Sequence, residues 1–227
     1  MKAIELSKSF DPKSYEDRIY QRWMEKKLFR PSPDGAPAGA GRFVVVIPPP
    51  NVTGVLHMGH GLNNSLQDIE VRYHRMKGED TLWVPGTDHA GIATQNVVEK
   101  QLKKRGTSRA QIGREKFLEE TWRVTHEHHD IIVSQLKRLG SSCDWDRERF
   151  TFDEGLSRAV REVFVSLYEK GLIYRGNYLI NWCPSCRTAI SDDEVEHTET
   201  KGSMWHYRYP LADGSGSVTI ATTRPET

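Results

Sequence analysis

Apolar positions set out a run of elements whose texture changes late in the chain. Ile19, Trp23 and the Leu28–Phe29 pair form a partial stripe. With Ser14 as cap and Asp17 three residues on as a weak capping box, they predict a helix over 13–29. It stops at the Pro- and Gly-rich loop 30–41. Phe43-Val44-Val45-Val46-Ile47 is apolar without alternation, which predicts a strand buried on both faces and ended by Pro48-Pro49-Pro50. Leu62, Leu66, Ile69 and Tyr73 recur at helical spacing and predict a helix from about Met58 to Lys77, stopped by Gly78. Thr81–Val84 reads as a second strand, and a helix follows from about Gly91 to Arg105. This alternation is the start of a doubly wound parallel sheet.

Residues 114–139 read as another helix with Ile132, Leu136 and Leu139 on one face. A further helix opens at Asp153, and its Leu156, Val160, Val163, Phe164 and Leu167 form the best amphipathic pattern in the chain. After Gly171 the pattern turns to short extended pieces at 178–182, 204–209 and 217–221, with Asp213-Gly214-Ser215-Gly216 as a hairpin turn between the last two. The change near 172–180 marks where a mostly β insertion is expected to begin.

Composition narrows the function classes. The 227 residues carry 32 Lys and Arg against 31 Asp and Glu, so no whole-chain basic field marks a general nucleic-acid binder. No apolar run approaches the roughly 20 residues of a membrane helix. The polar start, Met1–Phe10, has no secretory core. The 3 cysteines are too few for a disulfide scaffold and fit a reducing compartment.

The chemistry concentrates in Pro48-Pro49-Pro50-Asn51-Val52-Thr53-Gly54-Val55-Leu56-His57-Met58-Gly59-His60, between a strand and a helix. That crossing offers orphan N–H groups and the positive helix end to a nucleotide. Gly54, Gly59 and Gly61 leave room for a phosphate near the backbone, and His57 and His60 can donate to phosphate oxygens whose charge grows during displacement. By themselves, two histidines near a helix start are as ordinary as two half-exposed side chains. The i, i+4 spacing of a helical zinc pair is missing.

With these residues in place, the chain resembles the class I aminoacyl-tRNA synthetases, whose hallmark is the His-x-Gly-His element, and most closely their valine-specific branch. Supporting blocks are Pro85-Gly86-Thr87-Asp88-His89-Ala90-Gly91-Ile92-Ala93-Thr94-Gln95, Ser142-Cys143-Asp144-Trp145, Asn181-Trp182-Cys183-Pro184 and Ala221-Thr222-Thr223-Arg224-Pro225-Glu226-Thr227. The resemblance implies an α/β fold: the first half of a Rossmann-like nucleotide-binding parallel sheet, followed by the start of a β-rich editing insertion. The expected divisions are an N-terminal helix and loop over 1–42, the first part of the catalytic domain over 43–175, and the truncated opening of the editing domain over 176–227.

It further implies valine activation with ATP and Mg2+ and transfer to tRNA(Val), by a monomeric, cytoplasmic protein without membrane contact. His57 and His60 would hold ATP phosphates and act in catalysis, with Gly59 letting the adenine side approach. Asp88 would pair with the valine ammonium, while Pro49 and Asn51 shape the amino-acid pocket. Asp88 alone reads equally as a helix N-cap. Thr222, Thr223 and Arg224 resemble part of the editing site; valine-specific enzymes are the known example of a hydrophobic pocket that rejects a hydroxyl isostere too weakly without one. The chain is read as the N-terminal piece of a longer enzyme, not fully active alone. Alternatives are an isoleucyl- or leucyl-type synthetase, another nucleotidyl transferase, or a non-catalytic zinc- or RNA-binding module.

Cys183-x-x-Cys186 is half of a zinc site, and the sequence leaves open zinc or two reduced thiols. His197 and His206 fit no common pattern with it. Cys143 reads as buried packing, and His126, His128 and His129 as a solvated charged face. Leu6-Ser7-Lys8-Ser9 is similar to the Lys-Met-Ser-Lys-Ser loop of the family but stands before the first strand, so it reads as chance.

Overall fold

The computed structural model describes residues 9–32, 35 and 39–227. Leu6-Ser7-Lys8, nearly all of Met1–Phe10 and part of the loop 30–41 lie outside the described residues. The chain divides into two compact units, Met1–Leu172 and Ile173–Thr227.

In the first unit, α1 (Glu16–Glu25) is shorter than the predicted helix, and Ser14 does not cap it. Ser14 ends a short 3-10 turn, Pro12–Ser14, whose cap is Asp11, and its hydroxyl donates to Asp11 Oδ2 at 2.6 Å. Asp17 instead meets Arg138 across the unit.

β1 (Arg42–Val46) and α2 (Met58–Met76) lead to β2 (Asp80–Val84), which pairs in parallel with β1, Val45 opposite Trp83. β3 (Gly86–Thr87) continues the line of β2, α3 (Ile92–Lys104) and α4 (Arg109–Arg138) follow, and β4 (Arg149–Phe150) pairs in parallel with β3. Backbone bonds extend both ladders. On one edge Ile47 N–H donates to Val84 O at 3.0 Å; on the other Asp144 N–H donates to Trp83 O at 2.9 Å and Arg149 N–H to Pro85 O at 3.1 Å. Residues 80–88 are therefore the central strand of a three-segment parallel arrangement. Gly86 permits it: a Cβ there would stand 2.6 Å from the Arg149 carbonyl oxygen, a backbone atom that cannot give way.

The core gathers Trp83 of β2, Val71 of α2, and Ile132 and Leu136 of α4 with Ile47, Val52 and Cys143 from the connecting segments. Burial pushes the Cys143 thiol up, so it stays protonated and inert. A second cluster, Val98, Leu102, Phe117 and Val124, joins α3 to α4. Gly113, at φ 78°, breaks the helical path early in α4, which is why the regular apolar period begins only at 114.

Three burial expectations fail. β1 is covered on one face only: Phe43 and Val45 pack on the core, while Val44 and Val46 are 61% and 67% exposed. The α2 stripe Leu62, Leu66, Ile69 and Tyr73 is exposed, and the helix turns Asn64 and Val71 inward. α5 (Glu154–Glu169), capped by Asp153 accepting from Leu156 N–H as expected, buries none of its residues. Leu139, at the end of α4, is exposed as well. In β1, α2 and α5 the pattern specifies the element, but no described element covers its exposed apolar face.

What holds α2 inward is polar. Asp68 Oδ1 accepts from Ser142 N–H at 3.0 Å and from the Ser142 hydroxyl, and its Oδ2 accepts from Arg72 Nε at 2.7 Å. Arg75 Nη2 donates to Ser142 O at 2.8 Å and to Phe29 O at 3.2 Å, and Arg72 Nη2 donates to Gly140 O at 2.7 Å. Trp83 Nε1 donates to Gln67 Oε1 at 3.0 Å. Tyr20 closes the set against α1: its hydroxyl donates to Ser141 O and accepts from Trp145 Nε1.

Of the α4 histidines, His126 is exposed as expected, while His128 and His129 are half-buried and engaged. His126 stacks on Trp122. His128 Nδ1 meets Val52 O at 3.0 Å, and His129 Nε2 meets Glu148 Oε1 at 2.8 Å with Asp130 at its other nitrogen. The Glu148 contact, aided by Asp130, holds the His129 imidazolium above its usual range against the opposing effect of burial.

The second unit consists of hairpins. β5 (Asn181–Cys183) pairs antiparallel with β6 (Thr188–Ile190), and β7 (Trp205–Pro210) with β8 (Ser217–Thr222). The predicted turn closes the latter: Leu211 N–H donates to Gly216 O, and Asp213 Oδ1 accepts from Ser215 N–H at 3.0 Å. The 178–182 strand is shorter and shifted to 181–183, because the hairpin around Cys183 sets its register.

Asp68→Ala is expected to cost about 3 kcal/mol, since it strands the buried Ser142 N–H and hydroxyl and removes the Arg72 partner; Asp68→Asn, which keeps an acceptor, loses less. Urea midpoints of the two variants check this. Because the His129 value is raised, its contribution is fully present below about pH 6.5 (with Glu148 ionised) and disappears as pH rises through the folded value. Urea midpoints of the parent chain should therefore fall relative to His129→Gln over that rise.

Candidate active site

The motif segment leaves β1 through Pro48 and Pro49 and is fixed to the central strand. Asp88 N–H donates to Pro50 O and Val52 N–H to Asp88 O, each at 2.9 Å, so Asn51 and Asp88 form a parallel bridge. α4 secures the next turn: His128 meets the Val52 carbonyl, and Leu56 N–H donates to Gln135 Oε1 at 2.9 Å. Neither His128 nor Gln135 was identified from the sequence; both lie more than 70 residues from their partners, beyond any local pattern.

His57 is the N-cap of α2. Its Nδ1 accepts from Gly59 N–H at 3.1 Å, while His60 Nδ1 accepts from His57 N–H at 3.1 Å. This reciprocal cap is made by two imidazoles instead of a hydroxyl and a carboxylate. The rings stack with centroids 3.8 Å apart. A backbone donor at each Nδ1 assigns the proton of the neutral ring to Nε2. Neither Nε2 has a hydrogen-bond partner among the described residues. Each ring is thus a pre-set donor at the positive end of a helix. Burial, aided by His57, lowers the His60 value, which keeps it a neutral donor at physiological pH. A Cβ on Gly59 would stand 3.0 Å from His57 Cε1, so glycine is what lets the ring fold back onto its cap.

Asp88 is half-buried beside Asn51. Its Oδ1 accepts from Ala90 N–H and from the Thr151 hydroxyl, each at 3.0 Å. Its Oδ2 carries no hydrogen bond among the described residues. It does not cap α3: the N-cap is Gly91, with no side-chain bond, so Asp88 forms a local turn before the helix. Thr151, just past β4, is a site residue that sequence reasoning missed.

The structure brings Asn51 to Asp88 and His57 to Gly59 and His60; Pro49 is exposed on the ascending segment. A groove of about 500 Å3 lies between α1 and the end of α4, lined by Tyr20, Trp23, Arg72 and Arg138 among others, and shares no residue with these groups.

In the second unit, Cys183 Sγ accepts from Cys186 N–H at 3.4 Å, and hydrogen bonds from the Cys186 and Ser185 backbone and the Cys186 side chain lower its value. Among the described residues no group of three or more His, Cys, Asp or Glu is placed to share a metal ion. Thr222 ends β8 with its hydroxyl accepting from Arg224 N–H at 3.0 Å, and Thr223 and Arg224 are exposed beyond it.

No helix is long and apolar enough to cross a membrane among the described residues. Comparison with known proteins matches residues 18–213 to the family described as tRNA synthetases class I (I, L, M and V). A valine–tRNA ligase of Treponema denticola is 62% identical over 237 residues, covering 100% of this chain and 26% of that protein. One from Desulfotalea psychrophila is 60% identical, covering 98% and 25%. The chain thus spans about a quarter of the length of these relatives. Among solved structures, LeuRS from Agrobacterium radiobacter K84, in a ternary complex with tRNA and LeuAMS, matches with a TM-score of 0.68 and 25% identity over 95% of this chain and 24% of that one. The mixed α/β architecture with short parallel pairs agrees with that likeness, and the chain belongs to the class I tRNA synthetases of the I, L, M and V group.

Proposed function

We propose that this chain carries part of the machinery that activates valine with ATP and ligates it to tRNA(Val). On this reading residues 43–175 are the first half of a Rossmann-like nucleotide-binding domain, behind a helix and loop over 1–42, and 176–227 begin a β-rich editing insertion. The observation that carries it is the double imidazole cap: two Nε2–H donors, held by backbone bonds, at the N-terminus of α2, on the segment whose Asn51 bridges to Asp88, a carboxylate with one uncommitted oxygen. The relatives' printed name, valine–tRNA ligase, supports the amino acid.

The chemistry follows from those groups. The valine carboxylate is its own nucleophile toward the α-phosphorus of ATP, so the protein supplies positioning and charge stabilisation and no general base. His57 and His60 donate to phosphate oxygens as charge develops, at no cost in reorganisation because their caps have already oriented them. Asp88 Oδ2 receives the ammonium, and Pro49 and Asn51 border the aliphatic side chain. Gly59 leaves the backbone open to the nucleotide. Mg2+ accompanies ATP as part of the substrate.

In the second unit Thr222, Thr223 and Arg224 would contribute to hydrolysis of mischarged tRNA. Cys183 and Cys186 fit half of a zinc site, since an N–H···S bond and a lowered thiol favour the thiolate. Zinc there would pin the hairpin and needs two further ligands. On this reading the protein works in the cytoplasm as a monomer, with valine and tRNA as partners.

Amino-acid-dependent ATP–pyrophosphate exchange by the full-length protein tests the reading. Valine is expected to support exchange; support by isoleucine or leucine in its place would overturn it. His60→Ala should slow the valine-dependent step by about two to three decades, the size of one preorganised donor. An unchanged rate would remove His60 from the mechanism.

A further inference from the structure

The geometry points to Thr151 as the positioning residue of Asp88, setting which carboxylate oxygen is offered to the ammonium of the amino acid; this rests on the reading of Asp88 above. A threonine hydroxyl has one proton to give and two lone pairs to share. Thr151 Oγ1 accepts from His89 N–H at 3.0 Å, and His89 Nδ1 lies 2.6 Å from it. With Nδ1–H donating as well, both lone pairs are used, and the hydroxyl proton is directed to Asp88 Oδ1 at 3.0 Å. Ala90 N–H supplies a second donor to the same oxygen. Oδ1 is thus held by two hydrogen-bond donors, with His89 Nδ1 a further 3.4 Å neighbour, while Oδ2 has no hydrogen-bond partner among the described residues and holds the better lone pairs for an arriving cation.

The backbone fixes where the hydroxyl stands. Thr151 N–H donates to Thr87 O at 3.1 Å, one rung beyond the β3–β4 ladder, so the register that Gly86 permits delivers Thr151 opposite Asp88. His89 is held in turn by the rings of Phe150 and Phe152. Removing the hydroxyl leaves Oδ1 with the Ala90 N–H bond and the longer approach of His89 Nδ1 at 3.4 Å, a weaker hold on the carboxylate's orientation.

The test uses the full-length protein in valine-dependent pyrophosphate exchange, with Thr151→Val, Thr151→Ala and Thr151→Ser. Both variants without the hydroxyl are expected to raise KM for valine about tenfold, the scale of a hydrogen bond to a charged group. KM for ATP should stay within twofold, and Thr151→Ser should behave like the parent. Tm, measured alongside, separates this from a general loss of packing. A KM for valine unchanged in both variants, equal losses for valine and ATP, or failure of Thr151→Ser to rescue would overturn the proposal. Asp88→Asn distinguishes the two layers. If it leaves KM for valine unchanged, the reading of Asp88 fails; if it raises KM and the Thr151 variants do not, only the role of Thr151 fails.

Discussion

Residues 80–88 are bonded along both edges, and the candidate active site depends on that double ladder. On one side Val84 and Asp88 bond to Ile47, Pro50 and Val52; on the other Trp83, Pro85 and Thr87 accept from Asp144, Arg149 and Thr151. Successive residues of a strand face alternate neighbours, so one segment bridges Asn51 by its backbone at Asp88 on one side and brings the Thr151 hydroxyl to the Asp88 carboxylate on the other. The requirement is tightest at Gly86, where any side chain would meet the Arg149 carbonyl.

The second constraint is the polar inner face of α2. An amphipathic helix ordinarily turns its apolar stripe inward, but here Asp68, Arg72 and Arg75 grip residues 140–142 and the apolar stripe faces out. The carboxylate and the arginines are paired in these bonds, although Asn64 Oδ1 on the same helix is buried without a hydrogen-bond partner among the described residues. Anchoring the far half of α2 fixes its first turn as well, where His57 and His60 exchange caps. His128 and Gln135 of α4 reach the loop that approaches the N-terminus of α2.

The second unit follows a more local logic. Its hairpins are set by turns only a few residues long, the Asp213–Gly216 turn in one and Cys183–Cys186 in the other. Nearly every residue of this unit is exposed or half-exposed. Local hydrogen bonding defines these strands more than burial does, which explains why a turn signal identified one hairpin while the apolar pattern misjudged the bounds of the other.

Local features were legible in the sequence. Helix periods, the Gly78 stop, the Asp153 cap, the Asp213–Gly216 turn and the strand-to-helix position of His57 and His60 all depend on neighbours within a few residues. The family resemblance, resting on blocks in order, was legible for the same reason. The cap of α1 was misread because Ser14 is taken into a preceding 3-10 turn capped by Asp11, which leaves Tyr15 at the N-cap of α1 with no side-chain bond. Burial was misread wherever an apolar face needed a distant partner, as at Val44, Leu66 and Phe164. Tertiary structure alone decided that Asp88 meets Asn51 and Thr151, that α2 docks by its charges, and that His128 and His129 are engaged. These contacts join residues tens of positions apart, and only the register of parallel strands and the packing of α4 determine which of them meet.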